Sequence, residues 1–589
     1  MRKFSQLILT IFALTLIFTI NAISDDGTSG VTTKPKEIPK LPKYLKEDNK
    51  QYFNLPPVPE NRTPLSQGKK LFQLKAVIFE GNTVFSNQEL NKVAEKFINH
   101  DVGMAELEEL RYQLTRYYTD RGYINSGALI KPNQKVTNGV LTYLIIEGKL
   151  TNIDIKGNGS LRENYIKKRL WRDSDEPFNT LKLKEYFQML IQDPLIDKMD
   201  GNIVPGIKQG EATLELDVTR ENPYQFSMTT NNTTSPNLGS ETLKLNQTVR
   251  NLTGVGDSFN TLFEITEGKR EIDATYSIPL NANNTTLSFN YNYSDNEIVS
   301  ELKAIDVEST FQSSELSLNH PIFHNIERDF SVGVGLKTQK SNNYIINNNP
   351  FDFSPGAVEG ESKSTILQLI QSFNHSNLKH AFALHSSFNF GVDIFSPTIH
   401  SDSMPDGEFF SWIGQFNYGT QLKDNFGQLI FKGNLQLSNE PLLSIDKYVS
   451  GGFYNVRGYR ENENIGDNGY MLSIEWRIPV WESQKTGDYD KTKMLQIAPF
   501  MDYGSTWDKH YLDKTQIRNE GEPDETTIYR EFKSRSENTL HSIGIGLLWS
   551  TPKIDAQIYY GYAIEDVEPS SEYNLQDDGI HFNVTYNFL

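Results

Sequence analysis

Ile580-His581-Phe582-Asn583-Val584-Thr585-Tyr586-Asn587-Phe588, at the end of the chain, decides the fold class. Apolar side chains take every even position and polar ones every odd position. A period of two puts the two sets on opposite faces of one β-strand. One face is rich in aromatics and aliphatics, and the other carries His, Asn and Thr.

The same alternation recurs upstream. Leu287, Phe289, Tyr291 and Tyr293 alternate with Ser288, Asn290 and Asn292. Leu472, Ile474, Trp476 and Ile478 alternate with Ser473, Glu475 and Arg477. Leu429, Phe431, Leu435 and Leu437 share a face with Gly433, opposite Ile430, Lys432, Asn434 and Gln436. Candidate strands start near residues 225, 238, 256, 270, 283, 305, 327, 360, 378, 407, 426, 468, 495, 538, 554 and 579. An even number of spans of roughly ten residues suits antiparallel strands tilted across a bilayer and closed into a barrel. Short and long connections alternate, and the connection near 439–467 is among the longest. A large soluble β-sandwich or propeller also alternates, but it does not need aromatics on so many outward faces.

Composition agrees. Hydrophobic residues make up 37% of the chain, below the roughly 45–50% apolar content of soluble globular proteins. A membrane barrel tolerates this because its lumen is wet. A net charge of −18 argues against nucleic acid, which favours a basic face. Cysteine is absent, which excludes disulfides, zinc–thiolate sites, iron–sulfur clusters and thiol nucleophiles.

Toward the N-terminus, residues 1–24 read as a secretory signal peptide. Arg2 and Lys3 precede the apolar run Leu7–Ile20, and Ala22-Ile23-Ser24 offers a cleavage pattern. Residues 25–70 are a Pro/Lys-rich linker, extended by its prolines, with only Lys43–Phe53 left for a short helix. Residues 71–148 and 149–221 read as two small α/β units. In the first, Phe72–Phe79 is strand-like, and Ser86 with Glu89 forms a capping box that opens a helix to about Asn99. Leu107, Leu110, Leu114, Tyr117 and Tyr118 mark a second helix from Met104 to about Arg121. Ile78-Phe79-Glu80-Gly81-Asn82 and Ile153-Asp154-Ile155-Lys156-Gly157-Asn158 open the two units as an internal repeat. Residues 222–589 form the barrel.

Enzyme chemistry has little support. Gly-x-Ser-x-Gly and a phosphate-binding Gly-x4-Gly-Lys-Ser/Thr loop are both missing. His375, His380 and His385, at a spacing of five, fall on alternating strand faces. Asp577-Asp578-Gly579 reads as a turn. No catalytic residue, cofactor or metal is expected.

Two short motifs stand out. Val456-Arg457-Gly458-Tyr459 lies in the long connection, and Phe500-Met501-Asp502-Tyr503-Gly504 lies in the thirteenth candidate strand. Arginine offers a planar fork that a carboxylate meets bidentately, and the glycines allow unusual backbone geometry. With two α/β units ahead of them, these motifs resemble the outer-membrane transporters of two-partner secretion, of the haemolysin and filamentous-haemagglutinin secretion type.

That resemblance implies two periplasmic POTRA domains before a 16-stranded transmembrane β-barrel. It implies a sixth surface loop folded into the pore, with Val456, Arg457, Gly458 and Tyr459 as its motif and Phe500, Asp502 and Gly504 on the barrel wall. It further implies that Tyr586 and Phe588 serve as the C-terminal assembly signal, although the chain ends on Leu589 rather than an aromatic. The implied partners are a large secreted haemolysin- or adhesin-like exoprotein, bound through its N-terminal secretion domain, outer-membrane lipid, and the barrel-assembly machinery during biogenesis. Members often carry an N-terminal plug helix, for which this linker leaves little room. The alternative within the same superfamily is an outer-membrane protein assembly insertase. A purely stabilising role for Arg457 and Asp502 is also compatible with the sequence.

Overall fold

A computed structural model describes residues 38–45, 53–54, 69–171, 176–300, 307–345, 347–423, 426–483, 493–509, 511–517, 526–532, 538–565, 567 and 573–588. The signal-peptide segment and most of the linker lie outside these residues.

The first α/β unit is built on Val140–Ile146, which pairs in parallel with Ala76–Glu80 and antiparallel with Gly127–Ile130. Helices Asn87–Ala94 and Met104–Thr119 cover one face of this sheet. Their apolar stripe, Leu90, Ala94, Leu107, Leu110, Leu114 and Tyr118, closes the core against Val77, Phe79, Leu141 and Tyr143. Ser86 and Glu89 form the reciprocal cap at the start of the first helix, satisfying two backbone donors the helix leaves open. The expected strand Phe72–Phe79 is split in two. Lys75 donates its backbone N–H to Gly139 O, so Phe72–Leu74 turns away to pair with His100–Val102.

The second unit repeats the arrangement around Glu211–Arg220, with Lys149–Lys156 parallel and Ile196–Pro205 antiparallel to it. Helices Glu163–Leu170 and Thr180–Ile191 bury Ile166, Leu170, Leu183, Phe187 and Leu190 against this sheet. Backbone and side-chain bonds fasten the two units together: Thr180 N–H to Gly122 O at 2.9 Å and Asn125 Nδ2 to Gly210 O at 2.8 Å. On the far side of the second sheet, Phe53–Asn54 of the linker adds in parallel to the edge of Ile196–Pro205.

The rest closes into an antiparallel barrel of sixteen strands. These are β1 (Tyr224–Asn231), β2 (Thr242–Arg250), β3 (Ser258–Ile265), β4 (Lys269–Pro279), β5 (Thr286–Glu297), β6 (Glu308–His324), β7 (Arg328–Ile345) and β8 (Glu361–Ser376). They continue as β9 (His380–Gly391), β10 (Phe410–Gln421), β11 (Gln428–Ser438), β12 (Asn468–Glu482), β13 (Met494–Trp507), β14 (Asn538–Ser550), β15 (Ile554–Ala563) and β16 (Ile580–Asn587). Each of the sixteen strand starts read from the alternation falls at or within a few residues of one of these. β1 pairs with β16 to close the wall.

The alternation sorts the two faces. Phe289, Tyr293, Leu472 and Ile545 are exposed on the outer surface, while Asn292, Gln436, Glu475, Asp502 and His581 are buried inside. Closure pairs the wall's strands with one another, and the outward apolar band presents hydrocarbon to lipid around a polar interior. The rim facing the α/β units is held to the second unit. Arg162 N–H donates to Gly254 O at 2.9 Å, and Arg169 Nη2 donates to Asn284 Oδ1 at 2.7 Å. A hairpin not expected from the sequence, Tyr511–Ile517 with Thr526–Phe532, rises from the opposite rim between β13 and β14.

Candidate functional site: the inserted loop and the lumen

The connection 439–467 leaves the far rim after β11 and folds back into the lumen. Its base is pinned by Gln339 of β7, whose Nε2 donates to Asp446 Oδ1 at 2.6 Å. A short hairpin follows, Tyr448–Ser450 against Asn464–Gly466, and its tip carries the arginine motif.

The Phe-x-Asp-x-Gly spacing of β13 has a direct geometric cause. Its every-second residues, Phe500, Asp502 and Gly504, all face inward and meet the loop. Val456 sits over Gly504, where a Cβ would lie 2.6 Å from Val456 Cγ2. Arg457 meets Asp502 through Nε at 2.7 Å and Nη2 at 2.8 Å. The backbone N–H of Arg457 adds a third bond to the same carboxylate at 3.1 Å. The guanidinium also lies over the ring of Phe500, 3.6 Å from its centroid. Gly458 adopts φ +97 and packs on the backbone of Gly561 in β15, a conformation and an approach that a side chain would obstruct. Its N–H donates to His581 Nε2 in β16 at 3.1 Å. Tyr459 donates its hydroxyl to His541 O of β14 at 2.7 Å.

Further wall residues belong to this cluster. Glu475 of β12 pairs with the other side of the Arg457 guanidinium and with Arg477 at 2.5 Å. Ser473 accepts from Arg457 Nη2 at 3.2 Å. Tyr559 of β15 places its ring 4.6 Å from the guanidinium carbon. Arg457 is 4% exposed, Asp502 1% and Glu475 0%, and Lys432 of β11 adds a third cation beside Arg457 and Arg477, facing the two carboxylates. In the sequence, Glu475 was one polar residue among many on an inward strand face. Only its register opposite Phe500 brings it to the arginine.

The lumen also holds chain from the linker. Ile38 packs against Val456, Tyr459, Met471 and Leu540. Asn417 Nδ2 donates to Pro39 O at 3.1 Å, and Leu45 N–H donates to Asn377 O at the near-rim turn at 3.1 Å. Between them, Leu41 and Tyr44 lie on Gly419, where a Cβ would come within 2.6 Å and 2.4 Å of them. Lys43–Leu45, the start of the expected helix Lys43–Phe53, is non-helical, and Phe53 is in a strand. Residues 46–52 lie outside the described residues.

On the outer surface, Tyr586 and Phe588 meet edge-on with ring centroids 4.9 Å apart. Phe588 N–H donates to Phe226 O of β1 at 2.9 Å. His375, His380 and His385 have separate partners, Glu327 O, Tyr418 Oη and Ser372 Oγ.

Comparison with known families decides the class. The model described as haemolysin secretion/activation protein ShlB/FhaC/HecB matches residues 210–520, more than half of the chain. The chain belongs to this family. A ShlB-type POTRA domain model matches residues 72–148, so this two-partner secretion transporter is an outer-membrane protein with its POTRA region in the periplasm.

Among curated proteins, the chain is 22% identical over 465 residues to the outer membrane transporter CdiB of Dickeya dadantii (strain 3937), covering 76% of this chain and 80% of the relative. It is 19% identical over 456 residues to the heme/hemopexin transporter protein HuxB of Haemophilus influenzae, covering 73% and 77%. Among solved structures, CdiB from Escherichia coli matches with a TM-score of 0.63 at 19% identity, covering 90% of this chain and 92% of that one. BamA from Haemophilus ducreyi lacking POTRA domains 1-3 matches with a TM-score of 0.50 at 13% identity, covering 88% and 100%.

Proposed function

We propose that this transporter exports a partner exoprotein in unfolded form through its barrel, with no covalent step. The supporting observation is the linker segment 38–45, a non-helical stretch of polypeptide lying in the lumen beside the seated loop. A lumen that accommodates its own chain in this form has the width and the polar lining for a cargo in the same form.

In this reading the periplasmic units catch the cargo first. Gly127–Ile130 is an edge strand of the first sheet, and an open edge beside a helix binds an extended segment through backbone hydrogen bonds. Val456–Tyr459, seated on Phe500, Asp502 and Gly504, holds the loop that narrows the pore. Tyr586 and Phe588 act as the aromatic signal read by the barrel-assembly machinery, and the outward apolar band is solvated by outer-membrane lipid. The periplasm supplies no ATP, so forward motion comes from the cargo folding outside, where even a modest domain gains about 5–15 kcal/mol.

The test is secretion of the cognate exoprotein by cells carrying Arg457→Ala. Loss of the exoprotein from the medium, with the barrel still assembled in the outer membrane, supports this reading. Undiminished secretion removes the loop from the mechanism.

A further inference from the structure

Arg460, immediately after the arginine motif, makes a second buried ion pair, unrelated to the barrel-wall motif. Its Nε and Nη2 donate to Asp577 Oδ1 and Oδ2 at 2.5 Å and 2.8 Å, with the side chains 9% and 6% exposed. A parallel two-bond fork between buried charges fixes both distance and orientation. Asp577 lies in the connection between β15 and β16, on the far rim.

That connection is itself stitched to the strand across the closing seam. Glu461 N–H donates to Gln576 Oε1 at 2.9 Å. Gln576 is fully buried, and its Nε2 donates to Asn232 O at 2.8 Å and Thr234 O at 2.9 Å, just beyond the end of β1. Asn232 in turn donates from Nδ2 to Ile580 O at 2.8 Å and accepts from Phe582 N–H at 2.8 Å. A continuous chain of bonds therefore runs from the loop tip, through Arg460, Asp577 and Gln576, to Asn232 on the opposite side of the β1–β16 junction. This junction needs the help, because it pairs only Ser227–Asn231 with Asn583–Asn587, the shortest register in the wall.

We propose that the Arg460–Asp577 pair couples the seated loop to the barrel's closing seam, so that withdrawal of the loop loosens the outer end of the β1–β16 junction. Arg457 and Arg460 then have different tasks. The first holds the tip to β12 and β13, and the second transmits its position to the seam. The inference rests on the reading of loop 439–467 as a movable gate. It is tested without any exoprotein present, so its failure is distinguishable from failure of the export reading.

The experiment records single-channel openings of the purified transporter in planar lipid bilayers. The chain has no cysteine, so Thr229→Cys with Thr585→Cys gives one defined seam disulfide. These residues face each other across the junction with their hydroxyls 2.8 Å apart. Arg460→Ala is expected to raise the frequency of large openings roughly tenfold or more, the population shift that follows loss of a charge-assisted hydrogen bond. The oxidised seam disulfide should return the Arg460→Ala trace to that of the parent, and reductant should bring the openings back. Exchanging the charges, Arg460→Asp with Asp577→Arg, should also restore the quiet trace.

An Arg460→Ala trace equal to the parent's overturns the proposal. So do openings that persist once the seam is cross-linked, because the pair would then act on the lumen alone. Heat-modifiable gel mobility reports whether each barrel is folded. If Arg460→Ala does not fold, Asp577→Asn, which preserves size and polarity, carries the same expectation through the same measurements.

Discussion

Asp502 accepts three hydrogen bonds from one residue, Arg457: two from its guanidinium and one from its own backbone N–H. The backbone bond ties the carboxylate to the loop's path as well as to its charge. A lysine at this position can keep the charge and the backbone bond but cannot present the planar fork. Arg457→Lys is therefore expected to behave like Arg457→Ala in secretion assays. Full export by the lysine variant would show that charge alone seats the loop.

Removing one partner of a buried ion pair costs about 3–5 kcal/mol, less where water reaches the site. Glu475 shares the Arg457 guanidinium and also pairs with Arg477, so Asp502→Ala and Glu475→Ala should not be additive. Each should lower the unfolding midpoint, and the double variant should fall short of the sum, a coupling that a double-mutant cycle reads directly. Additive losses would mean that the two carboxylates act separately.

Gly504 is the floor on which Val456 rests, with Ser450 Oγ also 2.7 Å from where its Cβ would lie. Gly504→Val should therefore unseat the tip while leaving every strand in register. The check is proteolysis from the outer side. Cleavage within 439–467 is expected in the variant and resistance in the parent, and equal resistance would contradict the packing argument.

Gly419 provides the notch that takes Leu41 and Tyr44. Gly419→Leu is expected to expel residues 38–45 from the lumen wall and raise basal ion conductance, as should deletion of that segment. If conductance is unchanged in both, the linker does not obstruct the pore.

The barrel was legible because its rule is simple. Strict alternation at period two, repeated between turns, specifies both strand and face, and sixteen spans leave one way to close. The arginine and aspartate were legible as motifs because Val456–Tyr459 and Phe500–Gly504 occur together, in order, behind two α/β units. Glu475, Tyr559 and His581 were not, because an inward polar or aromatic residue on a strand carries no mark of the loop it meets. Their role comes from register, a long-range property. Arg460 was hidden similarly, its partner 117 positions away in what read only as a turn. The linker's prolines indicated extended backbone, but two hydrogen bonds and a glycine notch decide where that backbone goes. The split at Lys75 depends on a single carbonyl, Gly139 O, and apolar patterning does not register one acceptor.

The account's central claim is that cargo passes through the lumen, and β10 offers the most direct measurement. Asn417 faces the lumen and bonds to the linker, while its neighbour Tyr418 faces outward and packs on Phe431. A photo-crosslinking residue placed at 417, with the exoprotein stalled in transit by a folded domain, should yield a transporter–exoprotein adduct, and the same residue at 418 should yield none. Adducts at 418 but not at 417 would contradict passage through the barrel.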